Sequence, residues 1–158
     1  MRSSKGFSLI ELLIVVAIIL IIAAIAVPSF LRSRMAANES AAVAALRTLN
    51  TAEISYSSAY PTVGFTSSMA ALSGTSCNPP DSTGACLIDM ALAGGTKSGY
   101  VFSVTNVSGT PGASYNALAN PVLWNYSGTR YFCSFADGVV RYSTALISTC
   151  DTNVKPQE

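Results

Sequence analysis

Residues 7–27 read FSLIELLIVVAIILIIAAIAV, twenty-one positions with a single charge, Glu11. As a helix this run rises about 30 Å, the thickness of a bilayer's hydrocarbon core. Residues 1–6, MRSSKG, are short, polar and basic. Cations ahead of an apolar span favour a cytoplasmic N-terminus and export of the remaining chain. A discarded secretory signal has a similar plan, and Ala24-Ile25-Ala26 matches a small-residue cleavage site. Two features oppose that reading. A carboxylate in an apolar span costs about 2.5–3.5 kcal/mol at the membrane centre, and a discarded signal has no use for one. The helical pattern also continues past the supposed cut.

Downstream, Leu31, Met35, Ala42, Leu46, Leu49 and Ala52 fall at helical spacings on roughly one face. Arg32, Arg34, Glu39, Arg47 and Asn50 are expected mostly on the other face. Alanine is abundant, which favours helix and lets helices approach closely. Pro28 lies inside the combined helix and is expected to kink or loosen it. Pro61 follows a helix stop near Tyr56 to Tyr60. Residues 62–97, rich in Ser, Thr, Gly and Pro, read as a long loop with one short helix near Met69 to Leu72.

The last third changes rhythm. Tyr100, Phe102 and Val104 alternate with Val101, Ser103 and Thr105. Tyr115, Ala117 and Ala119 alternate with Asn116 and Leu118, and Tyr131, Cys133 and Phe135 with Phe132 and Ser134. Val139 to Tyr142 reads as a last strand, with Asp137-Gly138 as the hairpin turn before it. The expected fold is α+β: a long N-terminal helix packed on a small antiparallel sheet of three to four strands.

Composition narrows the function. The chain has 158 residues, room for one domain with a core. Only 11% are charged, against about 25% in soluble domains, so part of the chain is expected to leave water. The net charge of +1 suggests neither a nucleic-acid surface nor an acidic tail. The aromatic residues of the last third have only Arg130 and Arg141 near them, too few for a base-stacking surface. Histidine, the commonest general base, is missing. Asp81, Asp89, Asp137 and Asp151 sit in turn-like contexts that explain them without catalysis. No phosphate-binding loop is present, so the chain does not power its own assembly. Asn106-Val107-Ser108 and Asn125-Tyr126-Ser127 match the common glycosylation triplet and carry little weight. No enzyme activity, cofactor or metal is expected.

Cys77, Cys86, Cys133 and Cys150 form an even set in an exported chain, which reads as disulfides. Spacings of nine and seventeen do not make zinc knuckles. Four cysteines allow three pairings. Sequence proximity favours Cys77 with Cys86 and Cys133 with Cys150. The second closes a loop of about 15 to 20 residues, worth roughly 3 kcal/mol on chain-entropy grounds.

Gly6-Phe7-Ser8-Leu9-Ile10-Glu11-Leu12-Leu13, the unbroken apolar run and Pro28 resemble the N-terminus of a type IV pilin or related pseudopilin. The resemblance is close over residues 5 to about 31 and holds only in plan beyond. It implies a leader at 1–6, a membrane and assembly helix at 7–28, an amphipathic helix of the head at 29–60, and a stapled loop and sheet at 61–158. It implies that a prepilin peptidase in the inner membrane cuts between Gly6 and Phe7, and that the same enzyme methylates the new Phe7 amine. Removing Arg2 and Lys5 from the nine basic side chains leaves seven against eight acidic ones. The resemblance also implies a homo-oligomeric helical filament raised by a pilus assembly machinery, outside the cell, and leaves its service open among adhesion, twitching motility, DNA uptake and electron transfer. In the family a stretch around the proline loses helicity in the filament, and a C-terminal disulfide loop often decorates the surface.

The placement of Glu11 has its own logic. It lies one helical turn past Phe7 in an apolar surround, where an unpaired carboxylate is strongly disfavoured. The freed Phe7 amine, in its own chain or a neighbour's, is the obvious cation. A buried pair is a better device for register than for raw stability, and a head-to-tail contact that does not close generates a filament. Two other readings stay open here. One is a pseudopilin of a type II secretion system, although the C-terminus lacks the acidic cluster that major pseudopilins use to hold calcium. The other is a secreted domain released after Ala26.

Overall fold

The computed structural model describes residues 6–74 and 77–157; residues 1–5 of the expected leader lie outside the described residues. Helix α1 spans Leu9–Ala59 and contains Pro28. The helical assignment is unbroken on both sides of that proline, whose missing N–H leaves the carbonyl of Ala24 without its helical donor. The chain divides into two units at Arg34 and Met35.

In the first unit the side chains from Phe7 to Phe30 stand open. Every large apolar residue there is exposed, and the best eighteen-residue window has a mean hydropathy of 3.3 with none of it buried. The helix is apolar all round rather than along one stripe, the pattern of a helix meant for lipid or for other helices.

The second unit is the head. Here α1 turns Ala42, Ala45, Leu46, Leu49, Ala52 and Tyr56 into the core. The sheet is six-stranded, antiparallel and strictly sequential: β1 Thr96–Lys97, β2 Tyr100–Ser108, β3 Ser114–Pro121, β4 Tyr131–Phe135, β5 Arg141–Ser143 and β6 Lys155–Pro156. The expected strands are β2 to β5. The two extra ones are two-residue pairings at the sheet's edges. The period-two pattern puts Tyr100, Phe102, Val104, Tyr115, Ala117, Ala119 and Phe132 in one core with the helix. Register lines Phe102 up with Ala119 and Ala119 with Phe132, so a small residue on the central strand alternates with large neighbours.

Cys133 faces the other way. With Leu118, Ile147 and Cys150 it forms a second, smaller core, flanked by Tyr131, Phe135 and Val154. The Cys133–Cys150 disulfide closes this core, and Cys77–Cys86 closes the loop after α2 (Met69–Leu72). These are the pairs that sequence proximity favours. The same loop holds a helix not expected from the sequence, α3 (Met90–Ala93), whose Leu92 is fully buried. Asp89 caps it, its Oδ1 accepting from the Leu92 N–H at 2.8 Å.

The last hairpin turns one residue earlier than expected. The Gly138 N–H donates to Phe135 O at 2.8 Å, which makes Ala136 and Asp137 the central pair. Gly138 comes next in the left-handed region, φ 73°, where the missing Cβ removes the penalty.

Candidate assembly site

Helix α1 begins at Leu9, so Ser8 is its N-cap and Glu11 its third residue. The first N–H groups of a helix have no partner within it. The Glu11 carboxylate folds back and accepts from the Ser8 backbone N–H at 2.9 Å. This is the carboxylate half of a capping box, Ser-x-x-Glu. The Ser8-to-Glu11 spacing carries that signal, whereas the apolar surround directs attention only to a charge partner. The cap gives the carboxylate a local partner in the isolated chain, and its charge also favours the positive end of the helix. Gly6, Phe7 and Glu11 thus gather within the first turn and its approach, while Pro28 lies about five turns farther along. Gly6 and Phe7 are both exposed.

The head holds its own half of the helix through polar contacts that helical spacing misplaces. Glu39, expected on the solvated helix face, is buried. Its Oε1 accepts from the Thr129 N–H at 2.7 Å and from the Thr129 hydroxyl at 3.0 Å. Its Oε2 accepts from Arg130 Nε at 2.8 Å and meets Nη2 at 2.8 Å. The Arg130 guanidinium also lies over the Phe132 and Tyr142 rings. Asn50, likewise expected outside, is buried between helix and sheet. Its Nδ2 donates to Ser134 Oγ and Gly138 O, and its Oδ1 accepts from the Tyr115 hydroxyl. Asn50 finds Ser134 at a separation of 84 positions and Glu39 finds Arg130 at 91, which helical spacing cannot foretell.

Glu53 is a buried group that the sequence pattern does not single out. It is 0% exposed. Its Oε2 accepts from the Thr66 N–H at 3.1 Å, and Oε1 has no partner among the described residues. Burial pushes its carboxyl from the ordinary 4.5 up to about 7, against the opposing pull of the Thr66 amide. Between those values the folded head holds the proton and the unfolded chain releases it. The contribution is therefore fully present below 4.5 and is lost as pH rises through about 7. At about 1.4 kcal/mol per unit, the loss is on the order of 3 kcal/mol. Glu53→Gln is expected to be the more stable chain at about pH 8 and to show little advantage at about pH 4.5. Denaturant unfolding of both chains at the two pH values checks this; a parallel pH response in parent and variant refutes it.

Among the described residues no group of three His, Cys, Asp or Glu side chains gathers as a metal ion needs. The N-terminal segment presents an apolar surface with one carboxylate near its start.

The family description "Prokaryotic N-terminal methylation motif" matches residues 1–27. The chain is similar to the type IV wide pilus major component PilA4 of Thermus thermophilus, at 33% identity over 150 residues, 94% of this chain and 95% of that protein. It is also similar to the type IV major pilin protein PilA of Myxococcus xanthus, at 49% identity over 53 residues, 34% of this chain and 24% of that one. No solved structure matches significantly. A shared sequence over nearly the full length of both chains, on an apolar spine joined to a helix-and-sheet head, has one meaning: the chain belongs to the type IV pilin family, the structural subunits of type IV pili.

Proposed function

We propose that the chain is held in the inner membrane by residues 7–28 with its head exported, cut between Gly6 and Phe7, methylated on Phe7, and polymerised through α1 into an extracellular filament. The observation that carries this reading is the first unit of α1. Its large apolar side chains are all exposed, and it has only one carboxylate. Such a surface needs lipid before assembly and other copies of itself afterwards. Cysteines joined in pairs suit an exported head. A cut after Ala26 would fall in the interior of α1, which weighs against a released secreted domain.

Processing is the direct test. Mass spectrometry of the membrane-extracted chain is expected to find Phe7 as the first residue, carrying one added methyl group. A start at Val27, or an intact Met1, would overturn the reading.

In this scheme the Glu11 carboxylate exchanges partners. In the isolated chain it caps its own helix at Ser8. In the filament it pairs with a freed Phe7 amine, its own or a neighbour's. The head stays outside, fastened by Glu39 and Asn50 to the second half of the same helix.

A further inference from the structure

Among the described residues of the head, a run of large apolar side chains stands exposed in one loop. Val122, Leu123, Trp124 and Tyr126 lie between β3 and β4 and are 48%, 58%, 41% and 53% exposed. No charged residue occurs from Pro121 to Thr129. The loop is built rather than slack. The Tyr126 and Ser127 N–H groups donate to Leu123 O at 3.2 and 2.9 Å, and the Ser127 hydroxyl accepts from the Leu123 N–H at 3.0 Å. The Asn125 N–H donates to Gly128 O at 3.0 Å, with Asn125 itself in the left-handed region. Gly128 lies against the Tyr100 hydroxyl, where any side chain would collide. The Trp124 ring stacks on Tyr131 at 5.0 Å.

The loop is fastened to the first turns of the head helix. Asn38 Nδ2 donates to Ser127 O at 2.9 Å, and Glu39 holds Thr129. Asn38 comes eight residues after Phe30, the last large aromatic side chain of the exposed apolar segment, on one continuous helix. The covalent link between them reaches at most about 28 Å even when fully extended. Tryptophan and tyrosine have an apolar body and a polar tip, the chemistry of the bilayer's interfacial belt.

Resting on the membrane-held state proposed above, we propose that the 122–126 loop seats in the headgroup region of the bilayer before assembly, as a second anchor in addition to the spine. Leaving the membrane then requires withdrawal of the loop as well as of the helix.

Trp124 is the sole tryptophan of the chain, so its emission reports the loop directly. The test uses the full chain reconstituted in phosphatidylethanolamine–phosphatidylglycerol vesicles with acyl chains brominated either near the headgroup or near the tail end. Flotation and alkaline extraction report the spine separately. Because interfacial rings lie at headgroup level, shallow bromines are expected to roughly halve the emission and deep ones to change it much less. Leu123→Asp, at an exposed position, is expected to remove most of the quenching while flotation and both disulfides persist. A chain that floats but is not quenched overturns the loop anchor and leaves the spine reading standing. A chain that does not float overturns both. Emission that ignores bromine but shifts with protein density in the vesicle assigns the loop to a second copy and overturns the lipid reading.

Discussion

Cells carrying Glu11→Gln are expected to yield few or no sheared filaments while their membranes retain processed, disulfide-bonded chain. Glutamine keeps the size of the side chain and can still accept from the Ser8 N–H, so the cap at 2.9 Å survives in weaker form. What it loses is the charge that a neighbour's amine would seek. Deep in an apolar bundle such a pair sets the axial offset between helices rather than their gross affinity. Without it, many offsets have similar energies and the repeating contact that propagates a fibre is no longer singled out. The effect on recovered filament mass is expected to exceed about ten-fold, the ratio set by roughly 1.4 kcal/mol at each added subunit.

The comparison variant must leave the head intact. Glu39 is unsuitable, because it is buried and ion-paired. Arg47, exposed on the head part of α1, serves instead. If Glu11→Gln and Arg47→Gln give equal filament mass, the register-setting pair is wrong and helix packing alone drives assembly.

Arg130→Met is expected to destabilise the head strongly. It keeps an apolar stem over the Phe132 and Tyr142 rings but deletes the cation paired with Glu39 Oε2. Breaking a buried pair by removing one partner costs about 3–5 kcal/mol. Arg130 is about a third exposed, so a value near 3 kcal/mol is expected. Changing Glu39 to Met as well should recover much of the loss, because no buried charge is then left alone. Recovery stays incomplete, since the Thr129 N–H loses its acceptor. Denaturant midpoints of parent, single and double variants decide the matter. A single variant within about 1 kcal/mol of the parent would mean that water already screens the pair.

The parts of this fold that can be read from sequence are those with a sustained period. The apolar run announces the spine, the spacing of Leu46, Leu49 and Ala52 announces the core stripe, and alternation locates β2, β3 and β4. Short range limits the rest. A two-residue strand such as β6 has no period to detect, and exists because Arg141 and Tyr142 supply its partners. Alternation in β4 cannot say which side faces the helix, because Phe132, Cys133 and Ser134 are all buried. One face meets the helix and the other the disulfide-closed second core. A helical wheel sorts residues by polarity and sends Glu39 and Asn50 outward. It cannot see that Arg130 and Ser134 arrive from the sheet to receive them.

At the candidate assembly site the sequence marks Gly6, Phe7, Glu11 and Pro28 for one segment, the exposed apolar one. The local partner of Glu11 is easily overlooked there, although Ser8 stands three residues earlier. The buried Glu53 gives no signal at all. Its acceptor role toward Thr66 depends on how the chain returns after Pro61, and that path is set by tertiary packing.

The two edges of the sheet bear on a hazard peculiar to polymers. Subunits crowded side by side have two ways to join, by their helices or by unpaired strand edges, and the second leads toward irreversible cross-β deposits. Here both outermost strands are two residues long. One presents Lys97, tied to Asp89 at 2.8 Å, and the other presents Lys155 beside Pro156, which has no N–H to donate. Neither terminal strand by itself offers a neighbour a ladder long enough to extend. In the polymer chemist's terms the two terminal strands are poor functional groups, which disfavours branching or gelation through them.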